Sequence, residues 1–412
     1  MRPLTFLGLL SLALLAGCRG HAPAGATAEP AMTLRVATFN TSLYDENHGG
    51  LIERLDQGDD DARKIAATLQ AVRPDVVLLN EFDFDAAGRA ADLFQSRYLG
   101  VAQDGGEPIH YPHRYFAEVN TGVPSGLDLN GDGRVGGDGR QHGDDAWGYG
   151  LHPGQYGMLV LSMHPIDAEA ARSFRLLRWS EMPGALAPTF PDSGKAFYPP
   201  EVWRQLRLSS KSHWDLPIDT PLGRLHLLAA HPTPPVFDGP ERRNAARNHD
   251  EVRLWAEYLT PGDKSWLCDD AGRCGGLPEG ERFVIVGDYN ADPADGASLP
   301  GTIQQLLEHP RVLRYATPRS EGAVLAAGES AANAGHHSSP AHDTAQFGPR
   351  NGNYRVDYVL PSVGFGVAGS GVFWPAPGQP GADWLDATDH HMVWVDLDVV
   401  GGTSVPTGAK RD

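Results

Sequence analysis

Short apolar, β-rich runs recur between residues 34 and 398, and this recurrence limits the fold more than any other feature of the sequence. We predict seven strands: Leu34–Phe39, Val76–Leu79, Met158–Ser162, Leu225–Ala230, Phe283–Val286, Val356–Leu360 and Met392–Leu397. Two segments between them have helical apolar spacing, Asp60–Val72 and Glu241–Leu259. Because no linker interrupts the series, the pattern predicts one mixed α/β domain over residues 34–398. Large loop insertions are expected at 85–155, 180–212 and 316–352, and a frayed tail at 399–412.

Composition excludes several classes of protein. The 412 residues carry a formal net charge of −18 and include three cysteines. No central apolar run reaches the roughly 18 residues of a membrane span, which excludes a polytopic membrane protein. Three cysteines are too few for a disulfide scaffold. The negative charge argues against a passive, high-affinity binder of duplex DNA, although it does not exclude an enzyme that meets phosphate through a metal ion.

The first residues have the features of an export signal. Arg2 precedes the apolar stretch Leu4–Leu15, which is too short to span a bilayer. The stretch ends in LAGC, which resembles a bacterial lipoprotein box with lipidation at Cys18. We predict a signal peptide at residues 1–17 and a lipidated cysteine with a flexible tether at 18–33; ordinary secretion is the alternative. The protein is expected to be exported and anchored in a membrane, and Arg19 after the cysteine favours the outer membrane, the periplasm or the cell surface.

The two remaining cysteines lie close together in the segment CDDAGRC. An exported compartment is oxidising, so Cys268 and Cys274 are expected to close a small disulfide loop. Two free surface thiols are the alternative. A zinc site is disfavoured, because nothing nearby clearly supplies further ligands.

Polar and ionisable residues stand at the ends of the predicted strands. They are Asn40, Glu81, His231, Asp288, Asn290, Asp357, Asp389 and His390. A rigid sheet can present a site at its strand ends, although each of these residues alone could be a loop cap or a turn residue. Their repeated placement favours a common site over separate structural roles.

The motifs around these residues resemble a known family. The series ATFN, LLNEFD, YGMLVLSMHPI, LLAAHP, VGDYNADP, RVDYVLPS and ATDHHMVWVDL is similar to the endonuclease/exonuclease/phosphatase family. Its members include deoxyribonuclease I, apurinic endonucleases, sphingomyelinases and inositol polyphosphate phosphatases. The resemblance implies a four-layered α/β sandwich, in which two mixed β-sheets pack face to face with helices outside. It also implies a divalent-metal-dependent phosphoester hydrolase.

The resemblance assigns metal ligands at three strand ends. Glu81 is the expected anchor for Mg²⁺ or Mn²⁺, with Asn40 and Asp389 close by, since hard cations prefer oxygen ligands. Ser42 stands where some members of the family carry Asp, which leaves the number of metal ligands open.

The resemblance also assigns catalytic roles. His390 and Asp357 are expected to form the base that positions the attacking water. Asp288 would orient that water or handle a proton, and Asn290 would donate a hydrogen bond to a phosphoryl oxygen. His231 is expected to contact the phosphate.

An Asp/Gly-rich segment is a second candidate metal site. Its spacing resembles the first half of an EF-hand or dockerin calcium loop, with candidate ligands at Asp128, Asn130, Asp132 and Asp138. Gly139 stands at the twelfth position, where an acidic residue is expected, and Asp144 or Asp145 could replace it. A solvated loop without an ion is the alternative.

Three functions therefore remain open. The first is an exported metal-dependent phosphodiesterase or phosphatase, including an endonuclease, and the second is a sphingomyelinase-like phospholipase of the same fold. The third is a non-catalytic, calcium-dependent surface binding module. The substrate would be a phosphoester in a nucleic acid, a lipid head group or a small molecule, and the oligomeric state is open. Five basic residues either contact substrate phosphate or belong to a solvated face: Lys211, His213, Arg243, Arg247 and His249.

Overall fold

The computed structural model describes residues 32–399, so Cys18, the predicted signal peptide, most of the tether and the tail beyond 399 lie outside the described residues. The strands are β1 (Leu34–Leu43), β2 (Val76–Phe82), β3 (His113–Phe116), β4 (Met158–Ser162), β5 (Arg172–Ser173), β6 (His213–Thr220), β7 (Gly223–Ala230), β8 (Phe283–Asp288), β9 (Ala345–Gln346), β10 (Asn353–Tyr354), β11 (Asp357–Pro361), β12 (Phe365–Val372) and β13 (Val393–Val399).

Eight α-helices and several single-turn helices accompany the strands. The α-helices are α1 (Gly50–Gln57), α2 (Asp60–Val72), α3 (Arg89–Leu93), α4 (Arg140–Asp144), α5 (Pro200–Trp203), α6 (Arg243–Leu259), α7 (Gln304–Leu307) and α8 (Glu321–Ala326). A π-helical turn covers Phe94–Leu99, and 3₁₀ turns cover Trp179–Glu181, Ala327–Glu329, Ala331–Gly335, Pro340–His342 and Ala382–Ala387. None of the helices between residues 32 and 399 is long and apolar enough to cross a membrane.

Helix α2 has the bounds that its sequence predicts. The Asp59 carboxylate accepts a hydrogen bond from the backbone N–H of Ala62 and caps the first turn. The helix ends at Val72, and the next residue, Arg73, adopts a left-handed φ of 53° just before Pro74. Its apolar residues, including Ile65 and Leu69, are buried against the sheet.

Two mixed sheets form the centre of the domain. The six-stranded sheet has the order β12-β13-β1-β2-β4-β3, and the five-stranded sheet has the order β11-β8-β7-β6-β5. Each contains one parallel pair, β1 with β2 and β7 with β8, and its other neighbours are antiparallel. Both sheets are therefore mixed, as expected.

Three apolar clusters define four layers. Val36 and Leu227 belong to a cluster shared by the inner faces of the two sheets. The next residues along each strand, Ala37 and Leu228, point outwards into separate clusters with α2 and α6, respectively. This period-two alternation buries both faces of both sheets. The predicted four-layered sandwich is confirmed.

Two long strands were not predicted from the sequence. Strand β6 contains Pro217, and a proline usually argues against a strand. The Pro217 carbonyl accepts a hydrogen bond from the backbone N–H of Asp167, on the outer side of the sheet and beyond the short strand β5. The missing N–H therefore faces the outer side of the sheet, where only an isolated bridge at Ile166 pairs with this part of β6. Strand β12 is rich in glycine, and a side chain at Gly371 would approach the Trp394 indole to about 3.0 Å.

The predicted insertions contain more regular structure than expected. Residues 85–155 include α3, the π-helical turn, α4 and β3, and β3 extends the six-stranded sheet by pairing with β4. Further along the chain, Cys268 and Cys274 are joined by a disulfide bond.

Candidate active site

Strand direction brings the predicted site residues to one edge of the sandwich. Asn40, Glu81 and Asp288 lie at the carboxyl ends of β1, β2 and β8, and His231 directly follows β7. Strands β11 and β13 run antiparallel to β8 and β1, so they begin where those strands end. Asp357 is thereby paired with Asp288 across the ladder.

Asp288 lies where the two sheets meet. Its Oδ2 accepts a hydrogen bond of 3.1 Å from the Asn40 amide, and its backbone N–H donates to the Asn80 side chain at 3.2 Å. Asn40 and Asn80 belong to the six-stranded sheet, whereas Asp288 belongs to the other. These bonds fix the separation of the two parallel strand pairs at the site.

His390 and Asp357 are hydrogen-bonded. His390 Nδ1 lies 2.9 Å from Asp357 Oδ2, and the Thr344 hydroxyl donates to the same oxygen at 2.8 Å. Because Asp357 is on β11 and His390 precedes β13, the pair joins opposing sheets. The free His390 Nε2 lies 3.7 Å from Asp288 Oδ2.

The environment separates the charge states of the two histidines. Burial lowers the pKa of His390, but the charges of Asp357 and Asp288 outweigh it and raise that pKa well above its usual value. Burial, together with the positive charges of Lys211 and His390, lowers the pKa of His231 well below its usual value. These opposite shifts favour the imidazolium form of His390 and the neutral form of His231.

Asp288 is shared by both histidines. Its Oδ2 lies 3.4 Å from His231 Nε2 as well as 3.7 Å from His390 Nε2. Burial raises the pKa of Asp288, an effect that the charge of His390 opposes and that of Asp357 reinforces. A buried carboxyl with a raised pKa between two imidazoles is suited to accepting a proton at neutral pH.

Glu81 lies at the solvent-facing side of this cluster. Its side chain is 22% exposed, and Oε1 is 3.9 Å from His231 Nε2. Its backbone has a left-handed φ of 56°, which is unusual for a residue other than glycine. Burial raises the pKa of Glu81. Backbone strain at a polar residue is typical of a functional position.

The other predicted metal ligands also border the cluster. Asp389 is the most open, with a side chain 51% exposed and Oδ1 3.8 Å from His390 Nε2. Asn40 donates a hydrogen bond through Nδ2 to Asp288, so its Oδ1 points away from that carboxylate. This oxygen accepts a hydrogen bond of 3.3 Å from the backbone N–H of Ser42. Among the described residues, the compact group of acidic and histidine ligand atoms is a different one, Asp288, Asp357 and His390, within 4.8 Å of one another.

Asn290 adopts a left-handed φ of 51° directly beyond β8. Its backbone N–H donates to Asp288 Oδ1 at 2.9 Å, and its side-chain Nδ2 donates to the carbonyl of Pro232 at 3.1 Å. One amide hydrogen is thus engaged in positioning the loop after His231. The second remains for another acceptor.

Three residues at the site were not assigned to it from the sequence. Lys211 is 6% exposed, and burial lowers its pKa. The negative charges of Glu251, Glu81 and Asp288 oppose this effect without cancelling it. Tyr44 and Tyr156 pack with ring centroids 4.5 Å apart, and the charge of Glu81 contributes to the raised pKa of both phenols. Tyr156 has a left-handed φ of 55°. Its place in the motif YGMLVLS is the signal that could have identified it.

Arg247, one of the basic residues of α6, has a structural role. The Arg247 guanidinium donates to backbone carbonyls, including that of Leu208, and is buried against the neighbouring loops. Glu251 is also buried rather than solvated, and its two oxygens accept bonds from Ser210 and Thr233. The alternative of a solvated face does not hold for this part of α6. Glu251 instead anchors the segments that flank Lys211 and His231.

The Asp/Gly-rich segment lies outside this cluster. Asp128 accepts backbone hydrogen bonds from Gly131 and Gly133, and Asn130 accepts one from Asp132. The carboxylate of Asp145 accepts bonds from the backbone of residues 129 and 136. In the described part of the chain, no three acidic groups of this loop, Asp138 included, converge within 4.8 Å. Calcium binding here stays a prediction.

The sequence profile of the Endonuclease/Exonuclease/phosphatase family matches residues 37–390, which is most of the chain. The chain belongs to the endonuclease/exonuclease/phosphatase family. The matched region begins within β1 and ends at His390, so it contains every residue of the cluster described above. No curated protein matches the sequence.

Solved structures similar to this family member have low sequence identity. An endonuclease/exonuclease/phosphatase protein from Beutenbergia cavernae is 20% identical, with a TM-score of 0.48, covering 90% of this chain and 72% of its own. Sphingomyelinase C from Streptomyces griseocarneus is 17% identical, with a TM-score of 0.42, covering 89% and 99%. A beta toxin mutant from Staphylococcus aureus with bound magnesium ions is 12% identical, with a TM-score of 0.44, covering 89% and 100%.

Proposed function

We propose that this protein is a divalent-metal-dependent phosphoester hydrolase that attacks phosphorus with water. The observation that carries the proposal is the buried set formed by Asp357, His390, Asp288 and His231, in which carboxylates raise the pKa of His390 while burial and nearby positive charges lower that of His231. Membership of a family of endonucleases, exonucleases and phosphatases supports the same class of reaction.

Residues beside this set fit a hard divalent cation such as Mg²⁺ or Mn²⁺. Glu81 and Asp389 offer carboxylate oxygens, and the Asn40 amide is turned so that its oxygen is not used by Asp288. Oxygen donors of this kind match the preference of Mg²⁺. The cation would polarise a phosphoryl oxygen and stabilise charge on the leaving group.

The protein's own groups divide the remaining work. Asp288, with its raised pKa, accepts the proton of the attacking water. His390, held as an imidazolium by Asp357, donates a hydrogen bond to the developing phosphoryl oxyanion. Asp288 is then the base, which replaces the role that the resemblance implies for His390. His231, as a neutral imidazole, has one N–H, which on Nε2 would donate to the phosphate.

A lipid head group is the second candidate substrate. The loop after His231 carries two exposed apolar residues, Val236 and Phe237, and Phe237 is 81% exposed. Phe237 also has a left-handed φ of 63°. The carbonyl of Val236 is held by the Asn244 side chain at 2.7 Å, so the loop is fixed on the body of the domain. An exposed aromatic on the loop that follows His231 favours a substrate that lies in an apolar surface.

We also propose export and membrane anchoring through a lipidated Cys18. The support is the LAGC box after a short apolar stretch and the polar tether that follows it. An anchored enzyme would meet lipid substrates at the membrane surface.

One screen tests the proposed function. Purified residues 19–412 are assayed with Mg²⁺ against DNA, RNA, sphingomyelin in mixed micelles, inositol phosphates and bis(p-nitrophenyl) phosphate. Metal-dependent hydrolysis of at least one is expected, and loss of sphingomyelin turnover in Phe237→Ser, with unchanged turnover of the soluble diester, would favour the lipid. No hydrolysis of any substrate would favour the non-catalytic binding module.

A further inference from the structure

A cavity of about 470 Å³ lies in the third insertion, outside the catalytic set. Its walls come from residues 327–343 and are mostly alanine, glycine and serine. Of the ten described residues that line it, only His336 and Asp343 are titratable, and none is lysine or arginine. The cavity has the size of a site for a small organic molecule.

Asp343 is the unusual residue of this cavity. It is 2% exposed, and its buried Oδ1 has no hydrogen-bond partner among residues 32–399. A buried carboxyl oxygen without a partner is unfavourable unless something else meets it. Burial, and the nearby negative charges of Asp292 and Asp295, raise the pKa of Asp343 to about 7.

The surrounding polar groups are already satisfied and hold the wall in place. Asp295 accepts hydrogen bonds from the backbone and hydroxyl of Ser338, the latter at 2.6 Å. Asp292 accepts one from the backbone of Arg355 at 2.8 Å, and the Ser330 hydroxyl donates to the carbonyl of residue 349 at 2.9 Å. The negative charges of Asp292 and Asp295, near Asp343, make the electrostatic potential in the cavity negative.

The cavity is separated from the reaction site by aromatic rings. The His390 ring lies 5.4 Å from that of Phe347, which lies 6.1 Å from Tyr354, and Tyr354 lies 4.8 Å from His336 in the cavity wall. A molecule bound there would be near the catalytic histidine without touching it.

We propose that this cavity binds a small organic cation that carries N–H donors, with Asp343 as its counter-ion and hydrogen-bond acceptor. A primary ammonium needs one carboxylate and space for its carbon skeleton, and the cavity supplies both. A compact metal ion needs several converging ligands. In the described part of the chain, the carboxylate oxygens of Asp292, Asp295 and Asp343 do not all lie within 4.8 Å of one another. The inference is independent of the hydrolytic function.

Calorimetric titration of the full chain with three probes tests the proposal. Ethanolamine has charge and N–H donors, choline has charge without N–H donors, and ethylene glycol has neither. We expect saturable ethanolamine binding at about 1 mM or tighter, choline at least about tenfold weaker, and no glycol binding. Asp343→Asn should weaken ethanolamine binding at least about tenfold. Asp192→Asn, which removes an exposed carboxylate that does not line the cavity, should leave it unchanged.

Two further variants keep the result decisive. Ala331 is an exposed residue of the wall, so Ala331→Phe should fill the cavity and abolish binding without lowering the melting temperature, even if Asp343→Asn does not fold. His390→Ala should retain ethanolamine binding, which separates this site from hydrolysis. The proposal would be overturned if ethanolamine did not bind saturably or if choline bound equally well. It would also be overturned if the protein bound Ca²⁺ instead of ethanolamine and Asp343→Asn removed that Ca²⁺ binding.

Discussion

The position of His390 shows how much of the chemistry depends on single contacts. One ring nitrogen bonds to Asp357 and the other faces Asp288, so the ring is held in one orientation. The sequence predicted this pair of residues and its polarity. It could not show that Asp288 would face both histidines, because that depends on how closely the two sheets pack.

The Asp357–His390 pair should behave as one unit in turnover. His390→Ala should lower kcat at least about 10²-fold, since it removes a positioned donor. Asp357→Asn should have a similar effect, because the imidazolium loses its counter-ion. The double variant should be little worse than either single variant. Steady-state kinetics on one diester substrate measure this, and losses that multiply in the double variant would contradict it.

His391 provides the matched control for this experiment. Its ring stacks on Trp374 with centroids 3.7 Å apart, and burial lowers its pKa to about 3. His391→Ala should therefore retain turnover but lose about 2 kcal/mol of unfolding free energy, because a packed ring is removed. An inactive but stable His391→Ala variant would place the essential histidine one residue further along.

At the scale of elements, the sequence predicted most of what surrounds the site. Strand β4 and helix α2 have their predicted bounds, because continuous apolar runs and a capped, periodic helix are local signals. Strands β6 and β12 escaped prediction for non-local reasons. Pro217 is tolerated because its missing N–H faces the outer side of the sheet, where pairing is limited to an isolated bridge, and Gly371 is favoured by an indole from another strand.

Strand β6 should give the fold a measurable acid sensitivity. Burial lowers the pKa of His213 to about 4, and its ring contacts the Ser209 hydroxyl at 2.6 Å and the Glu251 carbonyl at 2.9 Å. The unfolded chain therefore binds more protons than the folded chain between about pH 6.5 and 4. The neutral ring's contribution to the free energy of unfolding is fully present above pH 6.5, and it is lost as the pH falls from about 6.5 to about 4.

His213→Gln isolates this contribution. The free energy of unfolding is measured with denaturant at pH 7 and near pH 4. Between these pH values the wild type should lose up to about 3 kcal/mol of it relative to the variant, which has no titrating group at this position. A difference between the two proteins that does not change with pH would contradict the assignment of a buried neutral histidine.

At the scale of the whole molecule, the site is built by two opposing sheets. Residues far apart in sequence meet because strands β11 and β13 begin where β8 and β1 end. The family resemblance anticipated this sandwich, whereas residue spacing alone did not. The cavity around Asp343 had no sequence signal, since its walls are small residues without periodicity.

Membrane attachment should depend on the N-terminal segment alone. Cys18→Ser should not be acylated and should leave the membrane fraction, because one cysteine follows the apolar stretch. Hydrolysis per mole of protein should be unchanged, since the catalytic set lies within residues 37–390. Cell fractionation with metabolic lipid labelling checks this. A variant that remains acylated in the membrane would contradict the anchor assignment.

The metal-dependent hydrolysis of bis(p-nitrophenyl) phosphate by Glu81→Gln is the decisive measurement for the proposed metal-dependent hydrolase. An amide has nearly the shape of the carboxylate but binds Mg²⁺ far less well. At saturating Mg²⁺ we expect activity below about a tenth of wild type with an unchanged melting temperature. Glu53→Gln, which neutralises an exposed carboxylate on α1, should retain full activity. Glu81→Gln activity above a tenth of wild type, with undiminished affinity for Mg²⁺, would contradict the account.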